Sequence, residues 1–435
     1  MRAISSLART AALFLAWLAV SPLLAATVQA APPELTSMLQ NVSTAGGHRY
    51  NTVDDQNLGM DTAKIIPSPQ GGYVAVYHHL INNAFHVRLA TSSDLLNWHY
   101  VITLEVDASQ PTMAGLTDGG FLVGYEKAGS ATTCGGSGSC LAFRHYLDLN
   151  ALLAGSYDDN VVLNRRLSSC NEGTPNIYAA TLNPDIRHSV INLGFHYHSN
   201  CDVDRQARGT LTNFSTWTAE PDSNINTLFA GLGTVNGHVG DRDAFFYQGS
   251  PYSLIEAQST KNDYHTWRPY LFDRRLNSLT LLRLQTDGGS TSFGNPTYTE
   301  LRLPSTGRIG FVSTEFVFSE GSAPGEAGAL VYYSEYSSQP PPDTTPPSVT
   351  ITQPGNGSRV KRGSTVTIKA SATDNVGVAK VAFFVNGTLT CVSPFSPYSC
   401  SWTVPPGAGV VYTITARAFD TSSNSSDATI TVTSR

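Results

Sequence analysis

Short runs rich in β-branched and aromatic residues follow one another along most of this chain of 435 residues. Turns rich in Gly, Asn and Asp separate these runs, and no long segment with a helical period interrupts them after the first thirty residues. Alternation with a period of two residues between such turns is typical of β-strands. The pattern therefore predicts an all-β protein.

The region before residue 337 divides into five similar units. Each unit has an inner strand that opens on or near a polar residue and a later strand rich in aromatic or aliphatic residues. The paired strands are 60–66 and 72–77, 110–113 and 119–125, 172–177 and 189–195, 241–246 and 252–256, and 295–298 and 329–333. Five units of four strands fill about 300 residues as a propeller. The units therefore predict a five-bladed β-propeller over residues 31–336.

A tryptophan-bearing phrase recurs and supports this division. Residues 92–98 read Ser-Ser-Asp-Leu-Leu-Asn-Trp, and weaker copies at 212–217 and 262–267 also end in Trp. Repetition at about fifty residues indicates a propeller or an array, because one unit cannot bury its own apolar face. We expect Trp98, Trp217 and Trp267 to pack between sheets.

A second domain follows a proline-rich segment. Residues 337–347 contain five prolines, which favour an extended linker. Strands are predicted at 348–351, 365–370, 379–385, 412–418 and 428–432, and this spacing is typical of a β-sandwich over residues 348–435. The phrases at 343–347, 372–378 and 418–420 resemble those of bacterial immunoglobulin-like modules attached to secreted enzymes and adhesins. That resemblance implies a spacer or attachment role.

The N-terminus and the cysteines both indicate export. Residues 1–30 combine early arginines, an apolar run at 11–20 and a small-residue cleavage site, which predicts a signal peptide and a secreted protein. Six cysteines in an exported chain favour disulfides, with sequential pairing as the preferred arrangement among 15. The predicted pairs are Cys134–Cys140, Cys170–Cys201 and Cys391–Cys400.

Charge limits the range of partners. A net charge of −6, with 14% charged residues, gives no basic stripe for nucleic acid and no cationic face for a membrane. No later run is long and apolar enough to insert into a bilayer. A polysaccharide or oligosaccharide is the expected partner.

Candidate chemistry lies where the five inner strands begin, because a propeller brings these positions together around its axis. Carboxylates at or near those positions are Asp61, Glu172, Asp241 and Asp243. Hydrolysis of a glycosidic bond needs one protonated and one ionised carboxyl group across the bond. Glu256, on a later strand, is expected to be structural.

The repeated Ser-x-Asp-Leu-x-x-Trp phrase, the five units and the Glu172-Gly-Thr-Pro phrase together resemble the five-bladed propeller glycosidases of families 32, 43 and 62. The resemblance covers residues 45–335. It implies that Asp61 is the base or nucleophile, that Glu172 is the acid, and that Asp243, after Arg242, orients the sugar or tunes the pair. The chain departs from the family pattern because Glu172 precedes Asp243 and Thr174 interrupts the Glu-Gly-Pro phrase.

Further residues are candidates for substrate binding or for a different chemistry. Arg242, Gln110, His79, His196 and Tyr77 are expected to face the substrate. A His/Tyr pair among them could instead abstract a proton beside a uronic-acid carboxylate, as polysaccharide lyases do.

The sequence thus predicts a secreted glycoside hydrolase, of the arabinofuranosidase, xylosidase or fructosidase kind, that acts on a polysaccharide or its side chains. A non-catalytic glycan-binding propeller and a polysaccharide lyase are the alternatives. No cofactor is required for this chemistry, and calcium is the one ion left open.

Overall fold

The computed structural model describes residues 32–435 except 131, 184, 338–342, 395, 421 and 423. For residues 241 and 242 it describes the backbone only. The predicted signal peptide and residues 338–342 of the proline-rich segment lie outside the described residues. None of the helices in the described part is long and apolar enough to cross a membrane.

Five four-stranded antiparallel sheets form the larger part of the protein. The chain begins with helix α1 (Pro33–Gln40) and strand β1 (Gly47–Arg49). Sheet 1 contains β2 (Asp61–Pro67), β3 (Tyr73–Ile81), β4 (Ala84–Ser92) and β5 (His99–Val106). Sheet 2 contains β6 (Ala108–Gly115), β7 (Phe121–Lys127), β8 (Cys140–Tyr146) and, after helix α2 (Leu149–Leu153), β9 (Asp159–Leu163). Sheet 3 contains β10 (Glu172–Leu182), β11 (Ser189–Ser199), β12 (Val203–Thr212) and β13 (Thr216–Pro221).

Helix α3 (Ser223–Gly231) leads into the last two of these sheets. Sheet 4 contains β14 (Val239–Tyr247), β15 (Ser250–Gln258), β16 (Trp267–Asp273) and β17 (Ser278–Leu281). Sheet 5 contains β18 (Phe293–Arg302), β19 (Ile309–Val317) and β20 (Gly328–Glu335), with β1 as its fourth strand. Short 3₁₀ turns occur at Ile186–His188, Tyr264–Thr266 and Ser319–Gly321.

The five sheets close into a ring. Their innermost strands contact one another in the cyclic order β2, β6, β10, β14, β18 and back to β2. Strand β1 pairs antiparallel with β20, with Gly47 opposite Tyr333, so the last sheet is completed from the start of the chain. This arrangement is a β-propeller, and the predicted all-β fold is confirmed.

The apolar cores lie between neighbouring sheets. One cluster joins Ile65 and Trp98 of the first unit to Val331 of the fifth. Another joins Phe143 of the second unit to Trp217 of the third. Trp98 and Trp217 are each 4% exposed and Trp267 is 8% exposed, so the repeated tryptophans are packing residues as expected.

The C-terminal part is a two-sheet sandwich. Its eight strands are β21 (Ser348–Gln353), β22 (Ser358–Val360), β23 (Thr365–Thr373), β24 (Val378–Val385), β25 (Thr388–Ser393), β26 (Tyr398–Thr403), β27 (Val411–Asp420) and β28 (Ser425–Ser434). The sheet orders are β21-β23-β26 and β22-β28-β27-β24-β25. The Cys391–Cys400 disulfide joins one sheet to the other. The bonds Cys134–Cys140 and Cys170–Cys201 lie in the propeller.

The sandwich packs against the propeller at the third sheet. Val190 forms an apolar cluster with Ala382 and Val392, and the Asn192 side-chain amide donates to the Val392 carbonyl over 3.2 Å. Val190 pairs with Thr181 near the end of β10, whereas Tyr197 pairs with Glu172 at its beginning. The sandwich therefore contacts the end of this sheet that is remote from the beginning of its innermost strand.

Candidate active site

Every innermost strand carries a β-bulge near its beginning. The pairing register shifts between Asp61 and Lys64, Ser109 and Thr112, Gly173 and Asn176, Val239 and Arg242, and Gly294 and Thr297. Four bulges contain a non-glycine residue with a positive φ: Thr62 (52°), Gln110 (49°), Thr174 (48°) and Asn295 (51°). Such conformations are unfavourable for branched side chains, and bulges of this kind often re-aim residues beside an active site.

The bulges meet on the propeller axis. Residues in or directly after the bulges of all five strands line one narrow cavity: Thr62, Lys64, Pro111, Thr112, Thr174, Pro175, Asn176, Asp243, Pro296 and Thr297. Each of the five innermost strands therefore contributes side chains to this cavity.

The Asp243 side chain links the strands that line this axial cavity. It is 2% exposed. Its Oδ2 accepts from the Lys64 ammonium at 2.5 Å and from the Tyr298 backbone N–H at 2.8 Å, while its Oδ1 accepts from the Asn176 amide at 2.5 Å. Both carboxylate oxygens are thus engaged by groups from three other strands. The sugar-orienting or tuning role of Asp243 stays a prediction, and the observed contacts are those of a structural node.

Asp61 stands at the beginning of β2, beside the bulge. Its side chain is 20% exposed, and its Oδ2 lies 3.9 Å from Nδ1 of His79. Burial raises the pKa of Asp61 to about 6, because a low-dielectric surrounding disfavours the charged carboxylate. Such a carboxyl group is partly protonated near neutral pH while it stays accessible to a ligand.

Gln110, His78 and His79 lie close to strand β2, which carries Asp61. The Thr62 hydroxyl donates to Oε1 of Gln110 over 2.7 Å, and the Gln110 backbone N–H donates to Nδ1 of His78 over 3.2 Å. Burial, together with the neighbouring charge of His79, lowers the pKa of His78 to about 3. Burial also lowers the pKa of His79. The structure thus brings Asp61, His79 and Gln110 into one neighbourhood.

The Glu172 carboxylate accepts hydrogen bonds from the loop that directly precedes it in the chain. Its carboxylate is fully buried, and Oε1 accepts backbone N–H bonds from Arg166 at 2.7 Å, Leu167 at 2.5 Å and Ser168 at 3.0 Å. Its Oε2 is buried and accepts no hydrogen bond from any residue that the structure describes. The acid role of Glu172 stays a prediction. The geometry is that of a carboxylate that orders residues 166–168.

Tyr77 is fully buried and takes part in a second structural cluster. Its hydroxyl donates to Oδ2 of Asp54 over 2.5 Å, and Arg88 forms an ion pair with the same oxygen at 2.9 Å. Burial, and then the bond to Asp54, raise the pKa of Tyr77 far above its usual range. Asp54 also accepts from the Leu58 N–H over 3.0 Å, so this cluster orders the segment that leads to Asp61. Tyr77 is a positioning residue here and has no access to a substrate.

His196 belongs to a cluster around Asp204 in the third sheet. His238 and His198 lie 2.8 Å and 3.1 Å from the Asp204 oxygens, and Nε2 of His196 lies 3.9 Å away. Although burial acts in the opposite direction, these three histidines hold the pKa of Asp204 well below its usual range. Arg242 pairs through its backbone with Ile255, and its side chain lies outside the described residues.

Two carboxylates that the sequence analysis did not select lie at the beginnings of the innermost strands. A Cβ placed on Gly173 would fall 1.9 Å from Oε2 of Glu126 and 3.1 Å from Nε2 of His196. Cβ atoms on Gly240 and Gly294 would fall 2.3 Å and 2.2 Å from the two oxygens of Glu256. The glycines therefore make room for these carboxylates.

The two glutamates differ in accessibility. Glu256 is 5% exposed and accepts the Asn295 backbone N–H over 2.6 Å, and its structural role stays a prediction. Glu126 is only partly buried. A recurring pair near the end of the second strand of three units, Tyr77-His78, Tyr125-Glu126 and Phe195-His196, is the signal that could have identified Glu126.

We expect the change Gly173→Ala to displace the Glu126 carboxylate while the fold is retained, because the end of a flexible side chain can move aside. If Glu126 takes part in catalysis, activity on the substrate found in the screen described below should fall about tenfold or more, since small misplacements of catalytic groups are costly. The melting temperature should change little. Gly115→Ala is the matched control, because its Cβ would meet nothing within 4 Å. Equal activity of the two variants would contradict a role for Glu126.

Comparisons with known proteins agree with the described fold. Residues 347–432 match the family model for a bacterial Ig domain. The chain is also similar to the fibronectin(III)-like modules of Clostridium thermocellum CbhA, with 26% identity over 20% of this chain and 94% of that chain and a TM-score of 0.19. No curated protein sequence matches the chain.

Solved structures similar to this chain include an arabinanase and a β-fructofuranosidase. An exo-1,5-α-L-arabinanase from a bovine ruminal metagenomic library has 10% identity over 63% of this chain and 92% of that chain, with a TM-score of 0.40. The family 32 β-fructofuranosidase of Bombyx mori has 12% identity over 89% of this chain and 88% of that chain, with a TM-score of 0.41. The family model therefore indicates a bacterial immunoglobulin-like domain over residues 347–432 of this chain.

Proposed function

We propose that this protein hydrolyses glycosidic bonds at the beginnings of its innermost strands, with Asp61 as the general acid. The observation that carries the proposal is the Asp61 carboxyl group, which is 20% exposed and whose pKa burial raises to about 6. A group of this kind can donate a proton to a leaving oxygen near neutral pH. The substrate class is a neutral polysaccharide or its side chains.

Asp61 thereby takes a different role from the base or nucleophile that the family resemblance implies. A base or nucleophile must be ionised at the working pH, whereas burial favours the neutral form of this carboxyl group. The second carboxylate in the proposal is Glu126, which lies against Gly173 and near His196. Glu172 supports the adjoining loop through its three backbone hydrogen bonds.

The proposal includes export of the protein from the cell. Three disulfides join all six cysteines, and such bonds persist in oxidising compartments. A secreted enzyme would meet polysaccharides outside the cell, and the immunoglobulin-like domain would act as its spacer or attachment module.

The test is a screen of the purified protein against arabinan, arabinoxylan, fructan, galactan and a uronic-acid polysaccharide. Released reducing sugar and ultraviolet absorbance are followed together for the wild type, Glu126→Gln and Glu172→Gln. We expect sugar release without absorbance growth, and we expect Glu126→Gln to lower the rate at least a hundredfold, within the range of about 10²–10⁴ typical of acid–base groups. Glu172→Gln should mainly lower the melting temperature.

Other outcomes select the alternatives. Growth of absorbance would indicate an unsaturated product and a lyase, against which the buried position of Tyr77 already argues. Binding of a glycan without release by any of the three proteins would indicate a glycan-recognition propeller. Loss of activity in a folded Glu172→Gln variant, with activity kept in Glu126→Gln, would restore Glu172 as the acid.

A further inference from the structure

An exposed apolar pair lies at the tip of the hairpin that joins β3 to β4. Leu80 is 50% exposed and Phe85 is 42% exposed, and the two residues are direct partners across the hairpin. His78, two residues before Leu80, pairs with Asp61, so the tip lies at the same end of the sheet as Asp61. Exposed apolar side chains that adjoin one another often mark a binding surface.

The hairpin has a tight turn. Ile81 pairs with Ala84, so the turn consists of Asn82 and Asn83 alone. Their φ values are 51° and 65°, as in the type I′ turn, whose twist matches that of the two strands it joins. The hairpin therefore presents its apolar pair at a defined place and needs little ordering when a ligand binds.

A ring contact orients Phe85. The rings of His78 and Phe85 meet edge to face, with their centroids 5.1 Å apart and their planes at 83°. His78 is 5% exposed, and its Nδ1 accepts the Gln110 backbone N–H over 3.2 Å. A buried imidazole beside Asp61 thus supports one side of the Phe85 ring, while the rest of the ring stays open to solvent.

The apolar pair faces the second sheet. Val76 and Val87 pack in one cluster with Val123 of that sheet. Side chains alternate between the two faces of a strand, so Leu80 and Phe85 lie on the same face as these two valines. The pair therefore borders the mouth of the propeller between the first two sheets.

The composition of the hairpin favours a neutral ligand that has both apolar and hydroxyl groups. Residues 78–87 contain no Asp, Glu, Lys or Arg. The face of the Phe85 ring carries negative charge density, which attracts the C–H groups of a sugar ring. The exposed amides of Asn82 and Asn83 can donate to and accept from sugar hydroxyl groups. A neutral sugar residue offers both kinds of group, so it matches this surface.

We propose that Phe85 and Leu80 bind the sugar residue on the leaving side of the scissile bond. This inference rests on the proposed role of Asp61, because the acid donates its proton to the leaving oxygen and therefore lies beside the leaving sugar. Phe85 is two residues along and two strands across from Asp61, which corresponds to roughly 12 Å between their Cα atoms. The substrate class is thereby narrowed to neutral glycans that are cleaved between sugar residues rather than next to a small leaving group.

The experiment separates binding from cleavage. Affinity electrophoresis of the Asp61→Asn protein in native gels that contain arabinan, arabinoxylan, fructan or galactan measures binding in the absence of the proposed acid. Phe85→Ala, Leu80→Ala and Phe85→Trp are made in this background, and a uronic-acid polysaccharide is the charged comparison. Leu147→Ala is the matched control, because Leu147 is 64% exposed and follows β8 at the end of the second sheet that is remote from the mouth.

We expect at least one neutral polysaccharide to retard the Asp61→Asn protein. Phe85→Ala should raise the Kd about tenfold, as expected for the loss of one stacked ring, and should leave the melting temperature unchanged because the side chain is exposed. Phe85→Trp and Leu147→Ala should bind as the parent does, and Leu80→Ala should show a smaller loss. With Asp61 restored, Phe85→Ala should raise KM and leave kcat unchanged, because it removes binding that the ground state and the transition state share.

The outcomes distinguish this inference from the proposed hydrolysis. Unchanged binding by Phe85→Ala, or no binding of any neutral polysaccharide by the Asp61→Asn protein, would overturn the inference even if the wild type releases sugar. Weaker binding by Phe85→Ala without sugar release by the wild type would support Phe85 as a glycan contact and reject the hydrolysis.

Discussion

Replacing Asp61 with Asn is expected to abolish glycosidic bond cleavage and, above pH 6, to make the protein more stable. The activity should fall by about 10²–10⁴-fold, because the amide cannot donate the proton that the leaving oxygen needs. The stability should rise because the variant no longer buries a carboxylate that burial disfavours. Initial rates on the substrate found in the screen, together with melting temperatures from pH 4 to 8, measure both effects.

The pH dependence of the stability follows from the direction in which burial shifts the pKa of Asp61. Burial raises the pKa of Asp61 from 3.8 in the unfolded chain to about 6 in the folded protein. The protonated group therefore contributes stability that is fully present below pH 3.8 and is lost as the pH rises through about 6. This difference corresponds to about 3 kcal/mol. The activity of the wild-type protein should fall as the pH rises through about 6, because its acid then becomes ionised.

Asp118→Asn is the control for both measurements, because Asp118 is exposed in a turn and, among the described residues, its side chain accepts a single hydrogen bond, from the Gly120 N–H at 3.0 Å. It should match the wild type in rate and in pH profile. Asp61→Asn with wild-type activity would exclude Asp61 as the acid. An Asp61→Asn stability profile parallel to that of the wild type would show that the carboxyl group has an ordinary pKa.

The change Lys64→Met should have the largest effect on stability, lowering the free energy of unfolding by about 3–5 kcal/mol. Lys64 and Asp243 are 12% and 3% exposed, and removal of the lysine leaves the Asp243 carboxylate buried without its counter-charge. The double variant Lys64→Met/Asp243→Asn removes both charges, so it should be less destabilised than the sum of the single variants. Urea unfolding followed by circular dichroism gives the four values of the cycle.

An exposed pair provides the comparison for this cycle. Arg417 and Asp427 are 43% and 37% exposed, and Arg417→Met should change the free energy of unfolding by less than about 1 kcal/mol. If Lys64→Met had an equally small effect, the axial ion pair could not be a structural node. Additive effects of the two axial substitutions would show that Lys64 and Asp243 do not interact.

The sequence allowed the architecture to be predicted because the relevant signals are local and repeated. Each unit has its own alternating strands and turn residues, and the tryptophans at 98, 217 and 267 recur at matching places. The structure also pairs each cysteine with its neighbour in sequence. Such features depend on the strand and turn preferences of short segments, and these preferences can be read from a single sequence.

The candidate site was harder to predict because its side chains are determined by contacts between distant segments. Asp243 is engaged by Lys64, which lies 179 residues away in the chain. Glu172 is occupied by a loop whose conformation the sequence does not reveal, although that loop directly precedes it. Glu126 reaches the beginning of the neighbouring innermost strand only because Gly173 lacks a side chain there. A carboxylate's role depends on these partners, and residue type and spacing do not identify them.

The pairing of β1 with β20 makes the propeller topologically circular. Residues 47–49 and 331–333 are hydrogen-bonded neighbours, although almost the whole propeller sequence separates them. The ring therefore has no natural first sheet, and new chain ends could be opened in a loop between any two sheets if the present ends were joined. A nascent chain, by contrast, cannot complete the last sheet until β20 has been synthesised. Until then β1 has no partner, and afterwards it covers a strand edge that would otherwise be open to pairing with another molecule.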